Sequence, residues 1–346
     1  MDMIKNKPFL TDEKVDDFTA EDFVFVHRNE ELLDEAYTAT SYAKDVWMHF
    51  KKNKGAVLGA IIIVAIILLA IIGPMISGYK ADAINLDVQS LPPRIKGIYK
   101  LGIFSGYEKG VDQYAAHGVS QAFYWFGTDT NGRDLFTRVW EGTRVSLIIA
   151  LSAVVIDIVI GMSYGLISGY FGGKVDMVMQ RFMEILNGIP TLVVVTLLGL
   201  VLPPGITSIV FALMITGWIG MARISRAEVL KLKESEFILA SRTLGAKNFS
   251  IIFKEVMPNI FGQLIVMSMF SIPNAIFTEA FLSFVGLGIQ APDASLGSLI
   301  SDGYKSLTGH PHIIMSAIIV LALLMLSFNL FADGIRDAFD PNQKQR

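Results

Sequence analysis

The run Gly55–Ser77, GAVLGAIIIVAIILLAIIGPMIS, contains no charged side chain. As a helix it spans roughly 35 Å at about 1.5 Å per residue, enough for a hydrocarbon core about 30 Å thick. Lipid offers a peptide group no hydrogen-bond partner, so such a segment satisfies its backbone internally, as an α-helix. More apolar runs follow: Val145–Tyr170, a segment that begins near Glu184 and continues through Leu192–Leu202, then Ile206–Met221, Ile260–Leu287 and His312–Phe331. The chain is 52% hydrophobic and 18% charged, against about 25% charged in soluble domains. The expected fold is an all-α integral membrane protein with six transmembrane helices.

The same composition removes function classes. A net charge of −3 gives no electrostatic footprint for a nucleic-acid partner. The chain has no cysteine, which excludes disulfide and thiolate chemistry. It has no GxxxxGK[ST] phosphate loop, no HExxH and no Cys/His cluster. No catalytic residue, metal site or cofactor is therefore expected in this chain. Gly161-Met162-Ser163-Tyr164-Gly165 fits the GxSxG nucleophile pattern. That motif needs a strand-to-helix turn and a histidine base, whereas here it lies inside an apolar helix and the histidines fall in tails or loops.

In chain order, residues 1–54 are expected to form an acidic tail followed by an interfacial elbow. Leu32, Leu33, Ala36, Ala39, Ala43, Val46, Trp47 and Phe50 recur at helical spacing, and Lys51, Lys52 and Lys54 follow. An amphipathic helix ending in Trp and Lys suits a lipid surface. After the first span (55–77), residues 78–144 read as a small extracytoplasmic lobe, with short strands suggested around Ile95–Tyr107. Asp129 and Asp134 with Arg133, Arg138 and Arg144 suggest an ion-paired cap over the bundle mouth, or a solvated charge run. Residues 145–334 form the five-helix core, and 335–346 a short tail. In the core, Gly161, Gly165 and Gly169 recur every four residues, a stripe for close helix packing. Asp157 lies at membrane depth, where a carboxylate faces the bundle interior, a cavity or a partner; packing and pathway lining both remain open. Pro273 is expected to kink the fifth span, and with Asn274 forms a gate candidate beside the plain reading of a bend.

Between the fourth and fifth spans, residues 223–259 are polar and hold seven Lys/Arg. Ser235 is placed to cap a short helix, Glu236–Leu244. Gly245 is placed to end it in the left-handed conformation. Asn248 is placed to cap a second helix and Pro258 to end it.

Several of these stretches carry a resemblance. Leu239-Ala240-Ser241, then Gly245-Ala246, then Met257-Pro258 resemble the EAA loop of ABC importer permeases, with Leu239 in the place of the Glu and Glu255 in the place of the Ile. Gly127–Leu147 is similar to the GTDxxGRDxxSR…GxRxSL stretch of the C-type permease of dipeptide, oligopeptide and nickel importers. Gly169–Pro190 resembles GYxGGxxDxxxMRxxDxxxxxP, Glu279–Pro292 resembles EAxLSFLGLGxQPP, and Asp333–Pro341 resembles the closing GDxLRDxLDP. The likeness runs from Gly55 to Pro341, weakly over 77–124.

The resemblance implies a subunit that forms half of a translocation pathway in a bacterial cell membrane. Implied partners are a second permease subunit in a heterodimer, two cytoplasmic ATPase subunits that bind ATP and Mg, and an extracytoplasmic substrate-binding protein. Membrane lipid surrounds it, and the implied cargo is a peptide, with nickel or another small solute as the alternative. It also implies that Leu239, Ala240, Ser241, Gly245 and Ala246 couple to the ATPase. Asp157, Pro273, Asn274, Glu279, Gly286 and Gly288 are the pathway and gate candidates. The charges agree with cytoplasmic termini: seven Lys/Arg in 223–259 against one in the short outer loop 285–311. A secondary transporter would show paired inverted repeats and broken helices, and none is evident.

Overall fold

The computed structural model describes residues 42–203 and 205–339; the acidic tail and most of the expected elbow helix lie outside the described residues. The chain divides into a short unit, Met1–Asp45, and a main unit, Val46–Arg346. The main unit opens within helix α1, Tyr42–Lys52, which ends on Lys51 and Lys52. Trp47 stacks on Phe50 at 5.8 Å and carries Lys51 over its ring at 5.0 Å. Asn53 then caps α2, Lys54–Ser77, by accepting from the Ala56 amide.

Among the described residues five helices are long and apolar enough to cross a membrane. They are α2, α4 (Leu135–Phe171), α7 (Ile206–Leu232), α9 (Asn248–Phe284) and α11 (His312–Phe339). A bent pair, α5 (Gly173–Asn187) and α6 (Thr191–Leu198), which meet at 74°, brings the number to six where the two count as one broken span. Pro190 explains the break: it cannot donate a helical hydrogen bond and disfavours helix in the residue before it. The third span, expected to begin near Glu184 and continue through Leu192–Leu202, is thus two helices with an elbow.

Helix boundaries also move outward from the apolar runs. α4 starts at Leu135, ten residues before the hydrophobic stretch, capped by Asp134, whose carboxylate accepts from the Thr137 amide at 2.9 Å. α7 carries on to Leu232, so Arg223 and Arg226 are helical. α9 begins at Asn248, runs through a π segment at Ile252–Val256 and continues past Pro258 and Pro273. Pro258 therefore does not end a helix; it stands in the first turn after the π segment, where a missing N–H is tolerated. Polar residues extend these helices because they leave the hydrocarbon before the hydrogen-bond ladder stops.

α2 packs on α11 and α4. A Cβ at Gly59 would stand 2.7 Å from the Ser327 carbonyl oxygen, so the first and last spans touch through backbone. The central core joins α2, α4, α9 and α11 through Ile66, Val139, Trp140, Ile276, Ala317 and Leu324. A second cluster joins α4 to α7 through Ile149, Ile209, Trp218 and Ala222.

The lobe, residues 78–134, is built of turns around Val88, Leu91, Tyr114 and Tyr124. It contains one hairpin, β1 (Tyr107–Glu108) with β2 (Val111–Asp112), a short helix α3 (Gln113–Ala116), and a bridge between Arg94 and Ser105. The strands expected around Ile95–Tyr107 do not form there: a 3₁₀ turn, Tyr99–Leu101, takes their place, and the two-residue strands lie at the end of that stretch and beyond it. Burial pushes the Tyr114 phenol well above its usual range and the Tyr124 phenol up to about 12. Gly132, at φ +70°, turns the chain against Asn85, whose carbonyl oxygen would lie 1.7 Å from any Cβ there. The ion-paired cap is smaller than expected. Asp129 pairs with Arg133 at 2.7 Å and with Arg138 at 3.6 Å. Asp134 is occupied with its helix cap, and Arg144 donates to the Ala70 carbonyl at 2.8 Å.

Candidate functional site

The polar segment 223–259 folds into a projection at the end of the bundle away from the lobe. Helix α8, Glu236–Thr243, is its tip, about 12 Å long at roughly 1.5 Å per residue. The N-cap position is Ser235 as expected, but its hydroxyl donates back to the Leu232 carbonyl at 2.6 Å and makes no cap bond. The helix stops at Thr243, and Gly245 follows at φ +81°, in the left-handed region that closes a helix at least cost for glycine. Asn248 is the first residue of α9, with Lys247 as its N-cap; its side-chain oxygen accepts from the Tyr170 hydroxyl at 3.1 Å.

One face of α8 is fastened and the other is bare. Ile238, fully buried, packs with Ile251, Ile252 and Val256 of α9, Val229 of α7 and Leu166 and Tyr170 of α4. Arg242 lies over the Tyr170 ring at 4.9 Å. Outward, Leu239 is 47% and Leu244 87% exposed, with Phe237 and Phe249 beside them. Ala240 and Gly245 are exposed, while Ser241 and Ala246 are half-buried. Apolar side chains standing in solvent on a rigid helix mark a contact surface.

The projection sits on a stiff base. A Cβ added at Gly165 would lie 2.4 Å from the Ala222 carbonyl oxygen, and at Gly161 and Gly169 it would meet Trp218, Met221 and Val229. The glycine stripe thus brings α4 directly onto the backbone of α7. Asp176, at the start of α5, receives both prongs of Arg226 of α7 at 2.6 Å each, and accepts from Ser168 of α4 at 2.5 Å. Gln180 donates to Ser168 as well. The sequence reading missed this clamp; its signal was a single Asp in the return segment with an Arg one turn below the fourth span.

The pathway candidates fall into two places. Asp157 opens a π segment, Asp157–Met162, in α4. It shares a gap of about 40 Å³ with Ser271, Asn274 and Thr278 of α9, next to the buried Pro273. Glu279 is elsewhere and fully enclosed. It accepts from Ser146 of α4 and from Ser283, each at 2.8 Å. Ser283 also receives the Ile289 amide and the Ser295 hydroxyl. Ser295 caps α10, Leu296–Lys305, in a reciprocal box with Ser298. Gly288 is pressed on this knot, since a Cβ there would lie 2.0 Å from the Ser283 hydroxyl oxygen, whereas Gly286 at φ +85° stands in open space. Glu279 therefore ties the 285–295 loop to α4 and α9.

Residues 161–345 match the family described as binding-protein-dependent transport system inner membrane component. The chain belongs to this family. Residues 41–93 also match the N-terminal transmembrane domain of oligopeptide transport permease C. The permease is 41% identical over 319 residues to the dipeptide transport system permease protein DppC of Bacillus subtilis, covering 92% of this chain and 91% of that one. It is 43% identical over 302 residues to the oligopeptide transport system permease protein OppC of the same organism, covering 87% and 90%. With the OppC of Escherichia coli K12 it shares 36% identity over 301 residues, covering 87% and 91%. Among solved structures, the inward-facing MetNI methionine ABC transporter superposes with a TM-score of 0.50 at 18% identity, over 59% of this chain and 97% of that one. The shared part is the transporter membrane fold.

Proposed function

We propose that this permease forms one half of the membrane pathway of an ATP-driven peptide importer. The observation that carries the reading is α8: an apolar helix face bare to solvent, held from behind by Ile238 and placed at the Lys/Arg-rich end. Its occupant is a cytoplasmic ATPase subunit, with ATP and Mg bound there. Two such subunits serve a heterodimer of this chain and a related permease. The positive-inside bias supports a cytoplasmic side for α8 and both termini and an outer side for the lobe, where a substrate-binding protein would dock. Cargo is a peptide, in line with the dipeptide and oligopeptide permeases it resembles over nearly its whole length.

Coupling follows from what α8 touches. Displacing it moves Tyr170 through Arg242 and Ile238, and the Asp176–Arg226 clamp makes the ends of α4, α5 and α7 move with it. A packed base that has two arrangements converts a small shift at the docking helix into rocking of the spans. ATP drives that change through different contacts with α8 in the two states.

The test is uptake of labelled peptides of two to eight residues by cells that lack this chain, complemented with the wild type or with Gly245→Asp. No atom lies near the Cβ position of Gly245, so the carboxylate reaches the docking surface without a clash, but φ +81° strains any side chain there, and the amount of inserted, folded variant is measured alongside its uptake. Uptake restored by the wild type alone supports the reading. Equal uptake by the variant removes α8 as the coupling element, and unchanged uptake in the deleted cells turns the cargo assignment to nickel or another solute.

A further inference from the structure

Asp157 is 5% exposed in the interior of a membrane-spanning helix, and among the described residues no lysine or arginine pairs with it. It stands at the first residue of a π segment, an irregularity that often marks functional positions in helices. Ser271 is its hydrogen-bonding neighbour. Asn274 and Thr278 complete a polar wall on α9, and Gly217 of α7 keeps the far side low. The gap measures about 40 Å³, above the roughly 10–15 Å³ that one water needs, so it admits a group the size of an ammonium. Asn274 is exposed on this chain, although it lies within a span. A polar side chain at that depth is turned to protein or water rather than to acyl chains.

A carboxylate, hydroxyls and an amide oxygen around a space of that size offer acceptors and one negative charge. The complementary group is an ammonium, which has three donors and no acceptor. We propose that this gap is a transient subsite for an alkylammonium group, with Asp157 as its counter-charge and the α-ammonium of a peptide in transit as its natural occupant. This rests on the peptide reading above. A free N-terminus is common to unblocked peptides of any sequence, so such a subsite guides cargo without selecting its side chains.

The chain has no cysteine, so Thr278→Cys gives it one thiol at the gap. The experiment uses the assembled importer in vesicles, turning over ATP with its binding protein. Modification of this chain by 2-aminoethyl methanethiosulfonate is compared with modification by the uncharged methyl reagent, both read by mass. The cationic reagent should be favoured, and adding Asp157→Asn should lower the cationic-to-neutral rate ratio about tenfold, because the attracting charge is gone. A free-amine tripeptide should slow the modification and its N-acetylated form should not. Protection by an N-acetylated peptide that contains lysine would assign the subsite to side-chain ammonium groups instead of the N-terminus.

An unchanged ratio, no modification by either reagent during turnover, or equal protection by amine-free peptides overturns the proposal. If the ratio falls as expected but no peptide is transported by the wild type, the cargo reading fails while the ammonium site stands.

Discussion

At the lobe end of the bundle Asp129, Arg133, Arg138 and Glu279 are 3%, 5%, 1% and 0% exposed. At the other end Leu239, Leu244 and Phe249 are 47%, 87% and 62% exposed. Charged groups are thus buried at the first end, and at the second a short helix bares an apolar face, each the reverse of what such groups prefer alone; the lobe turns also expose Leu101 and Ile103. The buried charges are all engaged: Asp129 with two arginines, Glu279 with two serine hydroxyls, Arg138 also with the Ala81 carbonyl at 3.1 Å. They fix the geometry of the lobe and the 285–295 loop. Phe249 stacks on Phe253 at 6.3 Å, while Leu239 and Leu244 stand out in solvent, the surface on which the docking role is proposed. The docking role proposed for α8 assigns association to the second end, and the engaged buried charges assign a structural role to the first.

Substitutions at the two ends should separate accordingly. Asp129→Ala strands Arg133 and Arg138 in a buried site, and breaking a buried pair from one side typically costs about 3–5 kcal/mol. The purified importer in detergent should melt at a clearly lower temperature, with uptake falling in step with the amount of folded protein. Ser295→Ala removes the hydroxyl of the capping box and its bond to Ser283. Its expected cost is about 1 kcal/mol, seen as a small drop in the melting temperature with uptake per folded complex retained. Leu244→Asp should be nearly neutral for folding, within about 0.5 kcal/mol as for an exposed site, yet should abolish ATP-dependent uptake and co-purification of the ATPase. If Leu244→Asp lowered the melting temperature as much as Asp129→Ala, the division between the two ends would be lost.

The legible part of this fold was set by hydrophobicity and chain punctuation. Runs such as Gly55–Ser77 and His312–Phe331 led to spans, and Gly245 and the helix from Glu236 were readable from turn chemistry. The glycines at 161, 165 and 169 announced a close approach, though not that α7 was the partner. What escaped depends on pairs distant in sequence. Asp176 and Arg226 meet only after α5 folds back, and Glu279 finds Ser146 across 133 positions. Helix ends were underestimated because Leu135–Arg144 and Arg223–Leu232 are polar enough to resemble loops while their backbone bonds continue. Pro190 shows the opposite error, where apolar composition continued through a real break.

The docking role of α8 is tested most directly by crosslinking. Because the chain contains no cysteine, Leu239→Cys supplies a single thiol on the bare face of α8, and Lys305→Cys a matching thiol at the lobe end. A short thiol-to-amine crosslinker applied to the active, assembled importer should join the Leu239→Cys chain, and not the Lys305→Cys chain, to an ATPase subunit, with ATP altering the yield. An active importer that gives no ATPase crosslink from Leu239→Cys, or gives it from Lys305→Cys, would contradict the assignment of α8 as the docking helix.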